Sequence, residues 1–135
     1  MIEPPRADLS RLRDALAASW DAKTAYLGSM QDGNPAFGQC YATARVVQQF
    51  LPESEIVDGE VWTGERMECH FWNVIERDGM LCHIDFTWQQ FPPRSSVRSF
   101  RIRDRHTLGD SQTTIERVER LRRRVHDYLA THRQA

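Results

Sequence analysis

No apolar run in this 135-residue chain approaches the roughly 18 residues needed to cross a bilayer, so no transmembrane helix is expected. A strong charge imbalance is also missing. The formal net charge of −1 leaves no global field to draw in nucleic acid or an anionic membrane, and neither is expected as a partner. Cysteine is scarce and odd in number: Cys40, Cys69 and Cys82 do not make a disulfide framework. The opening Met1-Ile-Glu-Pro-Pro-Arg-Ala-Asp8 lacks the basic-then-apolar order of a signal peptide, which gives the expectation of a cytoplasmic protein. Repeats, low-complexity tracts and linkers are absent, so residues 1–135 are expected to form a single domain. Residues 1–6 form a flexible lead-in, since Pro4-Pro5 cannot continue a helix.

What is present is a mixed pattern. Leu9, Leu12, Leu16 and Trp20 recur at helical steps and predict a helix from Asp8 that ends between Ser19 and Ala25. Residues 27–38 are loop, punctuated by Gly28, Asp32-Gly33 and Asn34-Pro35. A helix follows from Cys40 to Leu51, with a wide apolar face of a central helix, and Pro52 stops it. Short strands are expected at 56–59 and 60–62 around a turn at Gly59. An edge strand is expected within 94–105, where Arg94, Arg98, Arg101, Arg103 and Arg105 make a local basic patch. Arginines there discourage strand pairing, and a solvated edge accounts for them better than a binding surface. The last helix carries a capping-box pattern at Thr113-x-x-Glu116 and an apolar stripe of Ile115, Val118, Leu121, Val125, Tyr128 and Leu129.

The best-defined element is a hairpin. Met67–Glu76 and Met80–Thr87 flank Asp78-Gly79, a strong two-residue turn signal. Pairing Arg77 with Met80 puts His70 opposite Thr87 and Trp72 opposite Asp85. Strand side chains alternate, so one face receives His70, Trp72, Val74, Leu81, His83, Asp85 and Thr87. The other receives Cys69, Phe71, Asn73, Ile75, Cys82, Ile84, Phe86 and Trp88, and is read as core.

Three residue types then converge on one chemistry. Cys40 begins a helix, where the dipole and unpaired N–H groups favour a thiolate and could stabilise an oxyanion. A thiol nucleophile needs a base, and His70 supplies one. Asp85 on the same face would fix the tautomer of that imidazole and balance its charge. An acidic residue inside Ile84-Asp-Phe86 is otherwise costly to bury. Metal is the rival: Cys69-His70 and Cys82-His83 repeat a Cys-His pair. Adjacent strand residues point to opposite faces, however, so neither a metal nor a cofactor is assigned. Trp62, Trp72 and Trp88 either line a pocket near the site or pack the core.

Asn34-Pro-Ala-Phe-Gly-Gln-Cys40-Tyr-Ala-Thr-Ala-Arg-Val-Val-Gln48, then His70-Phe-Trp-Asn73, then Asp85-Phe-Thr87-Trp-Gln-Gln90-Phe91 resemble the YunG-like family of small bacterial proteins. The resemblance runs from about Trp20 to the last helix. The order of its Cys, His and Asp blocks is similar to that of the papain and transglutaminase-like superfamily. That resemblance implies an α+β fold, with the Cys-bearing central helix on a small antiparallel sheet and the N- and C-terminal helices flanking. The three residues themselves give the expectation of a thiol hydrolase or acyltransferase acting on an amide or ester bond, with Cys40 as nucleophile, His70 as base and acid, and Asp85 as orienter. The substrate would be a small-molecule or peptide-like acyl compound. The pattern departs from papain-like proteases in one respect: their oxyanion glutamine lies several residues before the cysteine, whereas Gln39 is adjacent. Gln31, Asn34 and Gln90 are the alternatives for that role, and Trp72 is a further substrate-contact candidate. The competing expectation is a non-catalytic binding module that retains the cleft.

Overall fold

The computed structural model describes residues 7–132, and the lead-in expected at 1–6 lies outside them. Helix α1 (Ala7–Ser19) turns Leu12, Ala15 and Leu16 inward. It ends where the Asp21 carboxylate accepts the N–H groups of Lys23 and Thr24, both at 3.0 Å, a local turn that competes with helix continuation. Helix α2 (Cys40–Phe50) buries Ala42, Val46 and Val47. Helix α3 (Gln112–Thr131) adds Val118, Leu121 and Val125 to the same core, and Ile75 is a contribution from the sheet. Among the described residues, no helix is long and apolar enough to cross a membrane.

The strands β1 (Glu55–Trp62), β2 (Met67–Arg77), β3 (Met80–Ile84) and β4 (Ser96–Arg103) form one antiparallel sheet in the order β3-β2-β1-β4. The β2–β3 hairpin has the expected register, Arg77↔Met80 through Asn73↔Ile84. Its turn puts both Asp78 (φ 52) and Gly79 (φ 77) in the left-handed region, as a tight hairpin whose twist matches its strands requires.

The sheet is curled, and curling explains several departures from expectation. His83 on β3 and Phe100 on β4 belong to opposite edges, yet their ring centroids are 5.4 Å apart. In a flat sheet those strands would run about 14 Å apart. Inside the curl lie Val57, Trp72 and Val74, a small second core. On the other side of β2, Asn73 donates to the Ala44 carbonyl of α2 at 2.9 Å and Ile75 joins the helical core. Both faces of β2 are therefore buried, rather than one apolar face alone. Cys69 and Cys82, expected in the core, are exposed.

Residues 55–62 form one strand, with no turn at Gly59. This glycine pairs with His70 on one side and Phe100 on the other. A Cβ there would lie 2.4 Å from Cη2 of Trp72, so the position needs glycine for space and not for a bend. Strand β3 stops at Ile84 instead of Thr87, because Asp85 turns its carboxylate onto the Thr87 N–H and a short 3-10 turn follows at Trp88–Gln90. The cap of α3 is Ser111, which accepts from Thr114 N–H, and Thr113 lies inside the helix. Ile115 then falls off the buried stripe. Strand β4 is an edge, exposed over nearly its whole length. Arg101 and Arg103 there are partly neutralised by Asp58 at 3.4 and 3.1 Å.

Leu121 is fully buried between three helices, whereas Ile115, one and a half turns earlier, is 48% exposed. Leu121→Ala should lower unfolding free energy by about 2–5 kcal/mol, and Ile115→Ala by roughly 0.5 kcal/mol or less, in urea denaturation. Equal losses would contradict the helix orientation.

Candidate active site

His70 is the centre of the site. It lies on β2 beyond the last β2–β3 pair, Asn73↔Ile84, and is completely buried. Because β3 has ended, the chain from Asp85 to Phe91 is free to wrap this edge. It brings Asp85 Oδ2 to 2.6 Å from His70 Nε2. The other carboxylate oxygen, Oδ1, accepts from Thr87 N–H at 3.1 Å and from its hydroxyl at 3.3 Å. The Asp-x-Thr spacing is the local signal for this turn, since an aspartate readily accepts the N–H two residues on. Thr87 thus anchors the carboxylate that faces the histidine. Trp88 and Phe91 complete the wall, with centroids 5.9 and 4.8 Å from the imidazole. Trp72 stacks on the ring at 5.3 Å and 29°.

Burial by itself would push the His70 imidazolium down, because a charged ring loses hydration. The hydrogen bond and charge of Asp85, together with the Cys40 thiol acting on the same ring, outweigh that cost and raise it to about 9. Asp85 at Nε2 and the Gln90 amide nitrogen, 3.5 Å from Nδ1, are polar groups that meet this imidazole directly.

Cys40 is the first residue of α2 and is half-buried. Its position is fixed on several sides. Gln39, fully buried just before it, accepts from the Thr24 hydroxyl at 2.7 Å and donates to the Asp21 carbonyl at 3.0 Å. Arg120 of α3 donates to the Asp21 carboxylate at 3.0 Å, holding that carboxyl below the usual range despite some burial. Tyr41 donates its hydroxyl to Asp110, which Arg45 also grips at 2.9 Å. Burial, with that carboxylate second, raises the Tyr41 phenol. Trp20 donates to Thr43 at 2.9 Å one turn further on. Asp110 and Arg120 carry no motif of their own, so their part in seating the helix start is visible only in three dimensions.

The four amides expected near the thiol separate clearly. Gln39 directs its amide nitrogen to Asp21 and to Met30 Sδ at 3.6 Å, into the protein. Asn34 donates to Gln31 Oε1 and to the Gln90 carbonyl, both at 2.9 Å, and so braces the segment after β3. Gln31 sits on the exposed side of that brace. Gln90 alone of the four puts its amide nitrogen beside the imidazole, 3.5 Å from Nδ1, while donating to Thr87 O at 3.1 Å. Trp72 is 5% exposed and belongs to the interior of the curl. The N-terminus of α2 has no side-chain cap, which leaves its first-turn N–H groups without that competitor.

The raised His70 makes a prediction about stability. Its folded-state value, about 9, exceeds the ordinary 6.5, so the folded protein binds this proton more tightly than the unfolded chain. The contribution is complete below about pH 6.5 and is lost as pH rises through about 9, with an upper bound on the order of 3 kcal/mol. Denaturation midpoints should fall across that window, and Asp85→Asn should flatten the fall. A wild-type midpoint independent of pH from 6.5 to 9.5 would contradict the site electrostatics.

No curated protein and no solved structure matches the chain. The family described as YunG protein matches residues 8–130, from the first turn of α1 nearly to the end of α3. That span includes every residue that builds the site. The chain belongs to the YunG protein family.

Proposed function

We propose that this protein is a thiol hydrolase or acyltransferase acting on an amide or ester bond, with an arrangement like that of papain and the transglutaminases. The observation that carries the proposal is a fully buried histidine held by a carboxylate at 2.6 Å, in a protein whose central helix begins with a half-buried cysteine. Asp85 holds Nε2, so in this reading Nδ1, which the Gln90 amide nitrogen approaches to 3.5 Å, is the nitrogen that serves the thiol.

The chemistry follows from that division. With its proton held by His70, the Cys40 sulfur attacks the carbonyl carbon. The carbonyl electron pair moves onto oxygen, and in this reading first-turn N–H groups of α2 and the Gln90 amide receive that oxyanion. Collapse of the intermediate breaks the bond to the leaving amine or alkoxide, which takes the proton from His70. The imidazole, now neutral, removes a proton from water or from an acceptor amine as that nucleophile attacks the thioester, and Cys40 is released. Asp85 keeps the ring oriented and balances its charge through both halves.

Cys69 and Cys82 supply internal comparators, since both are exposed while Cys40 is half-buried. With iodoacetamide at pH 6, Cys40 should be alkylated about tenfold faster than either, as followed by peptide mass spectrometry. Against a panel of activated esters and amides, an acyl adduct should form at Cys40. His70→Ala should slow acylation by about 10²–10⁴-fold. Uniform labelling of the three cysteines and no acyl adduct would leave a non-catalytic binding module as the reading.

A further inference from the structure

Among the described residues, one ring lies flat against His70. Trp88 and Phe91 meet it edge-on, whereas Trp72 lies stacked against it at 5.3 Å. The indole is itself held on three sides. Gly59 leaves the space that a Cβ would take, 2.4 Å from Cη2 and 2.6 Å from Cζ3 of Trp72. Trp72 Nε1–H donates to His83 Nδ1 at 2.9 Å. Phe100 reaches across the curl to 6.1 Å from the indole. Trp72 is 5% exposed, so its N–H needs an acceptor, and the one it finds fixes the plane of the indole against the imidazole.

We propose that Trp72 is a positioning residue for His70. Its indole face, fixed by Gly59 and by the His83 acceptor, orients the imidazole and stabilises its positive charge. The attraction is that of a cation for an aromatic face, and it is strongest where water is excluded. It compensates part of what burial costs the charged ring. The proposal rests on the Cys40–His70 reading above. Of the titratable groups around this pair, Cys40 faces His70 from α2, Asp85 faces it from the segment after β3, and His83 of β3 faces Trp72. The contacts from β1 and β4 are Gly59 and Phe100, which do not titrate.

The test is an NMR titration of the His70 ring together with Cys40 alkylation at pH 6. Trp72→Leu should lower the His70 midpoint by about one pH unit and slow the alkylation, with Trp72→Phe intermediate. His83→Leu, at an exposed position, removes the acceptor of the Trp72 N–H and should shift both readouts in the same direction. His83→Asn, whose amide oxygen can replace Nδ1 as acceptor, should restore them. A packing role alone would lower thermal stability in these variants without moving the His70 midpoint. If wild-type His70 is raised and Cys40 fast, but the Trp72 and His83 variants titrate like wild type, the positioning role is wrong and the thiol site stands. If wild-type His70 titrates near 6.5 and Cys40 labels like Cys69 and Cys82, both fall.

Discussion

A proton on a buried imidazole is the constraint on which this structure turns. His70 has no exposed surface, and a charged ring there loses its water. Asp85 answers with a hydrogen bond of 2.6 Å. That bond in turn governs the backbone around it. For the carboxylate to reach Nε2, β3 must stop after Ile84, and the chain must wrap the edge of β2 as a turn and a short 3-10 segment. Thr87 secures the carboxylate, Asn34 ties the segment to the loop before α2, and Phe91 closes over the ring.

The remaining elements fix where the cysteine-bearing helix begins. The three helices hold a common apolar core, and polar links from Asp21, Thr24, Gln39 and Arg120 fix where α2 begins. The Tyr41–Asp110–Arg45 cluster fixes it from the other side. None of these groups needs to touch a substrate. Their effect is to fix the first turn of α2, and with it the position of Cys40.

Much of this was legible in the sequence where local chemistry decides. Asp78-Gly79 specified a turn with two left-handed residues, and the hairpin register followed from it through Asn73↔Ile84. The helix from Cys40, closed by Pro52, was equally plain. Long-range geometry was not legible. Alternation along β2 implies one buried face only if the sheet is open, whereas the curl buries Trp72 and Val74 as well as Asn73 and Ile75. Gly59 carries the usual mark of a turn, and its real role, making room for an indole from the next strand, depends on a residue 13 positions away. The choice among Gln31, Asn34, Gln39 and Gln90 rested on which amide the folded chain turns toward His70, and residue type alone is silent on that.

The pairing of Cys40 with His70 is the central claim, and the protonation state of the His70 ring tests it most directly. Nitrogen-15 NMR should show both ring nitrogens protonated in the wild type at pH 7.5, with loss of the proton near pH 9. In Cys40→Ala, with Asp85 still in place, the ring should deprotonate at a clearly lower pH. A neutral His70 at pH 7.5, or the same midpoint with and without the thiol, would contradict the account.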